Sequence, residues 1–596
     1  MAKPTVRIRI GFIDGPYVVS PVWTDVTSYV REVTTNRGRQ DEWQHFGTGT
    51  ATVVLDNRDR RYDPTYTAGP YYGFLYPRRQ IQIQGTVDNV NYYNIFRGFI
   101  AGWPVELKDA GYDSTVTLEC FDVFGLLGAT EVTPDWADST ITGLSPVHYW
   151  RCNEATGSTS IIDYGSAGAN VPVFAGRPNL VSNESIANGI PYNAANLLIT
   201  TYYLTRSVTP ATGDFTVSFW YRGGPTGTIP LTLKGTSSLL FSIVSSSIQV
   251  DLDDGVSGAR VTTSRSGFGA EAAHHIVVTY TNSTGRLRIY VDGTDLTGTQ
   301  VNVTGHKLIP ETEITFSGGS IAQCAVFTSV LSTTNIANIY KLSAAQITES
   351  TSARLTRLAN LTPLTSQIAS SISTQGVVSD ISSGRFSLLS EMETVSDSEG
   401  GDFFVTNAGV GLMTNRTYTT TNTNSITNQA TFGSGGIPIG TEMSYYWSAD
   451  ELRNQINVTW SGDAVATATN STSVTAYGTS AENYETQLST QADAQSLANY
   501  LVGFGYLPRL VMSAVEVGQA LTTAQWATVL GLELLERITV VVPEQVGSNL
   551  SQIQLIQQIQ HRITPGDWKT TILGSSRWSS VFTIGTSYLD GIDILG

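Results

Sequence analysis

The residues able to do covalent or metal chemistry are few in this chain of 596 amino acids. There are six histidines: His45, His148, His274, His275, His306 and His561. A serine or cysteine nucleophile needs an oriented base beside it. His274 and His275 are adjacent in an apparent strand, so they point to opposite faces and cannot both line one site. No G-x-S-x-G elbow precedes a helix, and no H-E-x-x-H zinc motif is present. Cys120, Cys152 and Cys324 are an odd number and far apart, which excludes a disulfide framework and reads as buried thiols. Cys152 and Cys324 have no Cys or His neighbour at metal spacing. Paired carboxylates for glycoside hydrolysis are set by space rather than by spacing. The best local acidic run is Asp251-Leu252-Asp253-Asp254-Gly255, which lacks the EF-hand ligand pattern and reads as a solvated turn. Gly433-Ser434-Gly435-Gly436 lacks a P-loop lysine and does not join a strand to a helix, so it reads as a flexible turn.

Composition narrows the function class. With 34 Lys and Arg against 50 Asp and Glu, the net charge is −16. That gives no electrostatic grip on a phosphate backbone or an anionic membrane surface, so no nucleic acid partner is expected. Charged residues are 14% where soluble proteins average about 25%. Hydrophobic residues are 41%, too many for a disordered chain. The 56 glycines favour sheets and turns over helical bundles. The first ten residues alternate apolar and charged, unlike a signal peptide, and no run approaches the ~18 apolar residues of a membrane span. Synthesis in a cytoplasm and no membrane anchor are therefore expected.

Period-two alternation predicts strands in the first block, domain 1–135. Val6, Ile8 and Ile10 oppose Arg7 and Arg9, Ile81 and Ile83 alternate with Gln80, Gln82 and Gln84, and Val116, Leu118 and Cys120 alternate with Thr115, Thr117 and Glu119. One face is expected on a core and the other wet or against a partner. A second block, 140–345, holds Phe215–Trp220, His274–Tyr280 and Arg286–Val291 followed by an Asp292-Gly293 hairpin turn. Many short strands at this spacing predict a two-sheet sandwich. Exposed aromatics there could stack on sugars, with Tyr202, Tyr203, Trp220 and Tyr221 as examples. Most aromatics of a sandwich are core, so the expectation attaches to a sheet face rather than to any named ring. The remainder divides into 350–450 and 451–596, mixed in character. Leu388, Leu389, Met392 and Val395 have helical spacing up to Gly400-Gly401, a hairpin follows, and a second helix starts at Thr490. The fold class is mainly β with a few helices: β-rich α+β domains and an inserted sandwich.

The middle block resembles the laminin-G-like, concanavalin A-like jelly roll through Tyr149–Glu154, Phe215–Trp220, His274–Tyr280, Leu287–Gly293 and Ala325–Phe327 with Leu331-Ser332. The flanking blocks look like the minor tail proteins of siphophages that infect actinobacteria, of the tail-tip hub type. The matching stretches are Val54–Pro64, Gly69–Tyr72, Phe96–Ile100 with Trp103-Pro104, Glu399–Gly401, Asp493–Tyr500 and His561–Trp568. None of these motifs is catalytic. The resemblance implies a jelly roll inserted into a surface loop of a tail protein, near residues 130–145 and 343–353. Exposed loops tolerate such insertions.

It further implies a non-enzymatic hub in the virion tail tip, a homotrimer with a sixfold ring as the alternative. Its partners would be other tail proteins, including the distal tail ring and tape measure, and a host cell-wall glycan. No cofactor follows from it. Some laminin-G-like domains hold calcium in a loop that Asp163-Tyr164-Gly165-Ser166-Ala167-Gly168 matches, which makes Asp163 the single metal candidate, one carboxylate for a cation that wants several oxygens. The competing expectations are a cell-wall glycan-degrading enzyme with a lectin-like domain, and a free adhesin.

Overall fold

The computed structural model describes residues 3–576 except 133, 155–157, 173–186, 188–194, 198–203, 207–212, 223–230, 236–237, 245–246, 254–257, 263–271, 299–310, 317–318, 345–346, 373–375, 379–384, 441, 462 and 519–520. The chain forms two compact units. The first joins residues 1–132 with 348–379 and 387–596, so the 350–450 and 451–596 blocks lie together with the N-terminal segment. The second takes in residues 133–347, with 380–386.

The first unit is organised by a 13-stranded sheet. Its order along the main path is Thr24–Asp25, Thr5–Gly11, Gln80–Thr86, Tyr92–Ile100, Asp113–Phe121, Thr50–Asp56, Val30–Gly38, Leu550–Thr564, Arg537–Val542 and Ala430–Gly433. The alternating apolar residues supply the core: Ile8, Ile10, Ile81, Ile83, Val116, Leu118 and Cys120 are all buried. The opposite face of the Gln80–Thr86 strand is buried too, rather than wet. Its glutamines are held by hydrogen bonds: Arg7 Nε donates to Gln84 Oε1 at 3.0 Å, Arg9 donates to Gln82, and Gln80 Nε2 donates to the Gly15 and Val18 carbonyls. Buried amides are tolerated when so satisfied.

The N- and C-terminal segments meet where Val30–Gly38 pairs antiparallel with Leu550–Thr564, from Val33 opposite Ile563 to Gly38 opposite Gln558. A Cβ at Gly38 would lie 2.1 Å from the Gln557 carbonyl oxygen, and its φ is +119°, so only glycine fits this crossing. The helix Leu388–Glu399 buries Leu388, Met392 and Val395 and ends at Gly400 in the left-handed conformation, φ 70°. The expected hairpin follows, Phe403–Val405 against Gly411–Met413. The helix Gln491–Gly505 is capped by the Thr490 hydroxyl and packs Ala494, Leu497, Ala498 and Leu501 on the Gln455–Trp460 and Ala464–Thr469 hairpin. It ends at Gly505, one of the two glycines, Gly503 and Gly505, that the sequence offers as its stop.

The second unit is a two-sheet sandwich. One sheet orders His148–Trp150, Gly319–Phe327, Phe215–Arg222, Ala273–Thr281, Arg286–Val291 and Thr294–Asp295. The other orders Leu204–Arg206, Glu311–Phe316, Leu231–Gly235, Ser238–Val244, Ser247–Asp253 and Gly258–Thr262. Phe215, Val217, Phe219 and Tyr221 of one pack against Phe241, Ile248, Val250 and Leu252 of the other, with Phe219 edge-on to Phe241 at 5.0 Å. Asp292 and Gly293 have φ of 51° and 74°, the pair of positive values a type I′ hairpin turn requires.

A Cβ at Gly401 would lie 1.9 Å from the Thr414 carbonyl oxygen. Gly401→Ala is expected to lower the urea midpoint by a loss of roughly 1–3 kcal/mol. Gly102→Ala, with nothing within 4 Å, should leave the midpoint unchanged.

Candidate carbohydrate-binding face

A sandwich has two outer faces. In the first sheet, Thr216, Ser218, Trp220, His275, Val277 and Ala322 turn away from the inter-sheet core, and all are buried. The chain's own 327–344 segment covers them. Thr216 Oγ1 donates to the Ser329 carbonyl at 2.7 Å and accepts from the Leu331 amide at 3.0 Å. Tyr340, on the helix Thr333–Ser343, stacks on Trp220 and on His275 with ring centroids 6.0 and 6.3 Å away. Trp220 lies under this helix and Tyr221 lies in the inter-sheet core, so neither offers a face to a sugar. Tyr202 and Tyr203 lie outside the described residues.

On the second sheet, polar side chains emerge from the Ser247–Asp253 strand. In Ser247–Asp253, Ile248, Val250 and Leu252 point to the core while Gln249 and Asp251 alternate outward, half-buried. Gln249 Nε2 donates to Asp251 Oδ2 at 2.8 Å. A carboxylate accepts from sugar hydroxyls and a primary amide both donates and accepts, so this pair suits hydroxyl recognition. Asp251 thus stands in a strand paired on both sides, not in the solvated turn its acidic run suggests. Asp254 and Gly255 lie outside the described residues.

The serine–histidine contact in the sandwich is structural. Ser218 Oγ lies 2.9 Å from His275 Nε2, but both are buried beneath the helix. His275 Nδ1 has no hydrogen-bond partner, so no carboxylate orients the imidazole. Asp292 instead accepts from the His275 backbone amide and lies 2.9 Å from His274 Nδ1. Burial pushes the His275 imidazole down to about 4, leaving it neutral in the folded chain.

Asp163 is fully occupied. Oδ1 accepts from the Tyr149 and Gly165 amides at 2.8 Å each; Oδ2 accepts from the Ala169 amide and faces His148 Nδ1, both at 2.7 Å. Four partners match the ~4 lone-pair sites of a carboxylate. Burial would raise this carboxyl, but the imidazole and the amides outweigh it and hold it below the usual range. A calcium ion would have to displace those partners. Among the described residues no three His, Cys, Asp or Glu side chains gather as a metal site.

In the first unit, Gly433-Ser434-Gly435-Gly436 commits three of its amides to backbone carbonyls. Gly433 donates to Ile437, Ser434 to Val541 and Gly436 to Gly433, leaving no cradle for a phosphate. Cys120, Cys152 and Cys324 are free and buried, His561 is buried against Trp568 and Thr570, and His306 lies outside the described residues. One charged cluster carries no sequence spacing at all. Arg39 pairs with Asp402 at 2.9 Å, Arg509 with Glu42 at 2.8 Å, and His45 with Asp397 at 2.9 Å around a cavity of about 60 Å³. The hydrogen bond His45 makes to the Asp397 carboxylate raises its imidazole, while burial and neighbouring Glu42 push Glu451 up to about 7. Only the tertiary fold joins these residues, and the cluster ties the 39–46 segment to the helix end at Gly400.

Residues 199–348 match the family model of the concanavalin A-like lectin/glucanases superfamily. This segment is a concanavalin A-like jelly roll. The first strand, His148–Trp150, precedes the matched segment yet pairs with Gly319–Phe327, so the sandwich extends earlier in the chain. Solved structures similar to this chain include a botulinum neurotoxin DC binding domain in complex with SialylT, at 17% identity and TM-score 0.25, covering 35% of this chain and 53% of that one. The binding domain of Paraclostridial Mosquitocidal Protein 1 matches at 12% identity and TM-score 0.27, covering 35% of this chain and 58% of that one. A heptameric SAP-like pentraxin from Limulus polyphemus matches at 12% identity and TM-score 0.20, covering 24% of this chain and 78% of that one. No curated protein matches the chain.

Asp163→Ala orphans buried donors and is expected to destabilise the jelly roll by roughly 3–5 kcal/mol in urea unfolding, with no change in melting when calcium is added to the wild type. The unfolded His275 imidazole binds a proton near 6.5 and the folded one near 4. Between those values the unfolded chain holds more protons, so stability falls as pH is lowered through this window, by up to about 1.4 kcal/mol per pH unit from this group. His275→Asn should remove that part of the slope in a pH series of urea midpoints.

Proposed function

We propose that the chain is a minor tail protein of the tail-tip hub type from a siphophage, assembling around the tail axis and presenting its jelly roll to a host cell-wall glycan. The observation that carries this reading is the division of the chain. One β-rich unit is built from both ends of the sequence, and the jelly roll interrupts it while keeping a polar outer face beside Gln249 and Asp251. A homotrimer is the favoured state and a sixfold ring the alternative, with the distal tail ring and tape measure as neighbours. A single shallow sheet face binds sugar weakly, and several copies facing one wall would raise the strength by avidity. The described serine–histidine contact lacks an orienting acid and an opening, which supports a binding role rather than an enzymatic one.

The test uses the full-length protein. Sedimentation should give about three times 64.2 kDa, and antibody labelling should place it on the tail tip of phage particles. Gln249→Ala with Asp251→Ala should weaken binding to host cell-wall fragments by about tenfold or more at unchanged melting temperature. Release of soluble sugar from those walls by the pure protein would instead establish the glycan-degrading reading.

A further inference from the structure

Two exposed apolar patches stand on the first unit, and their charges are opposite. In the first patch, Ile13, Tyr17, Val19, Val22, Phe74 and Tyr76 are exposed on loops bound to one another. Arg79 donates to the Ile13, Asp14 and Phe74 carbonyls, and Arg97 donates to the Val19 carbonyl and to Gln80 Oε1. These guanidinium groups hold the loops through neutral oxygens, so their charge is not cancelled. Arg78 beside them is exposed. Among the described residues no ion pair involves Arg78, Arg79 or Arg97. The nearby Arg58, Arg60 and Arg61 are different, since each is paired with Asp56, Asp63 or Asp59. The acid within the patch, Asp14, accepts from the Val22 amide through Oδ2, so three guanidinium groups stand against a single carboxylate.

The second patch lies on the two-stranded ribbon of Tyr445–Ser448 and Arg509–Met512. Tyr445, Tyr446 and Trp447 are consecutive and exposed, Trp447 at 72%, and Val546 in the neighbouring loop is 91% exposed. The Tyr445 hydroxyl donates to Glu544, which joins that loop to the ribbon. Exposed Glu442, Asp450 and Glu544 flank the aromatics, and no ion pair involves them among the described residues. Tyr445–Ser448 is bonded to a neighbour along one edge, which leaves the other edge's backbone groups for pairing.

We infer that the basic Ile13/Val19/Tyr76 patch of one copy docks on the acidic Tyr446/Trp447 ribbon of the next. The two patches are complementary in charge. A chain of net charge −16 repels its copies, so association needs apolar contact with locally opposite charge. Like patches facing each other would oppose arginine to arginine or glutamate to glutamate. Unlike patches meet with opposite sign, which makes the contact heterologous, and heterologous contacts close into rings when the rotation permits. Exposed apolar surface of this kind marks association sites. The inference rests on the self-assembly reading above and names the surface that would carry it.

The experiment compares sedimentation of the full-length wild type, a Val19→Ser/Tyr76→Ser variant and a Tyr446→Ser/Trp447→Ser variant, each at wild-type melting temperature. The wild type should be oligomeric, and each variant alone should be monomeric, with self-association weakened about tenfold or more. Mixed together, the two variants should form a one-to-one dimer and nothing larger, because one intact patch remains on each. Raised salt should weaken the wild-type oligomer. A wild-type oligomer that both variants keep, or that only one loses, overturns this surface while leaving self-assembly standing. A monomeric wild type overturns self-assembly and this surface together.

Discussion

The antiparallel pairing of Val30–Gly38 with Leu550–Thr564 is the contact on which the first unit depends. It joins strands from opposite ends of the sequence, and the loop-closure entropy of such a pairing must be repaid by what it buries. The repayment is visible on either side of the crossing. Arg37 donates to the Val405 carbonyl and pairs with Glu533 at 2.7 Å, and Arg39 bonds Gln557 and pairs with Asp402. These arginines are nearly buried, and their partners come from segments that follow the jelly roll in sequence. Both ends of the chain must therefore be present before either arginine is satisfied. Gly38 permits the approach because any side chain there would strike the Gln557 carbonyl.

Given that closure, the 133–347 segment is an excursion from a unit completed without it. The jelly roll has its own core and uses one outer face internally. The helix Thr333–Ser343 lies over Trp220 and His275, and Ser218 sits in the same buried layer. Polar groups there, including the neutral His275 ring, act as packing elements in a dry environment. In the other sheet the Ser247–Asp253 strand alternates its apolar and polar residues, and Gln249 and Asp251 emerge on its outer side. The proposed glycan binding is therefore assigned to that face by the geometry of covering, not by any motif.

Charge is distributed with similar economy. The dense Asp56–Pro64 cluster neutralises itself through local pairs, and buried Asp402 and Glu42 are paired with Arg39 and Arg509. Two groups of charges without an ion pair among the described residues lie apart: arginines held on carbonyls around the 13–22 loop, and acids around the Tyr445–Ser448 ribbon. Surface ion pairs contribute little to stability, so a separation of this kind bears on association more than on folding.

Local signals were legible in the amino-acid order because their physics is local. The alternation of Ile8 and Ile10, the Asp292-Gly293 turn, the Thr490 cap and the Gly400 stop each act within a few residues, and each appears in the structure. The β-rich class and a two-sheet sandwich were legible for the same reason, while the concanavalin A-like character came from a family resemblance. Tertiary structure alone decided the rest. Gln80, Gln82 and Gln84 look solvent-facing by period, yet Arg7, Arg9 and the 12–22 loop bury and satisfy them. Asp163 resembles a metal ligand until its four donors are seen, and Asp251 resembles a turn until strands close on both sides. In each case a side chain's role follows from the partners that long-range pairing brings to it, and spacing along the chain does not encode them.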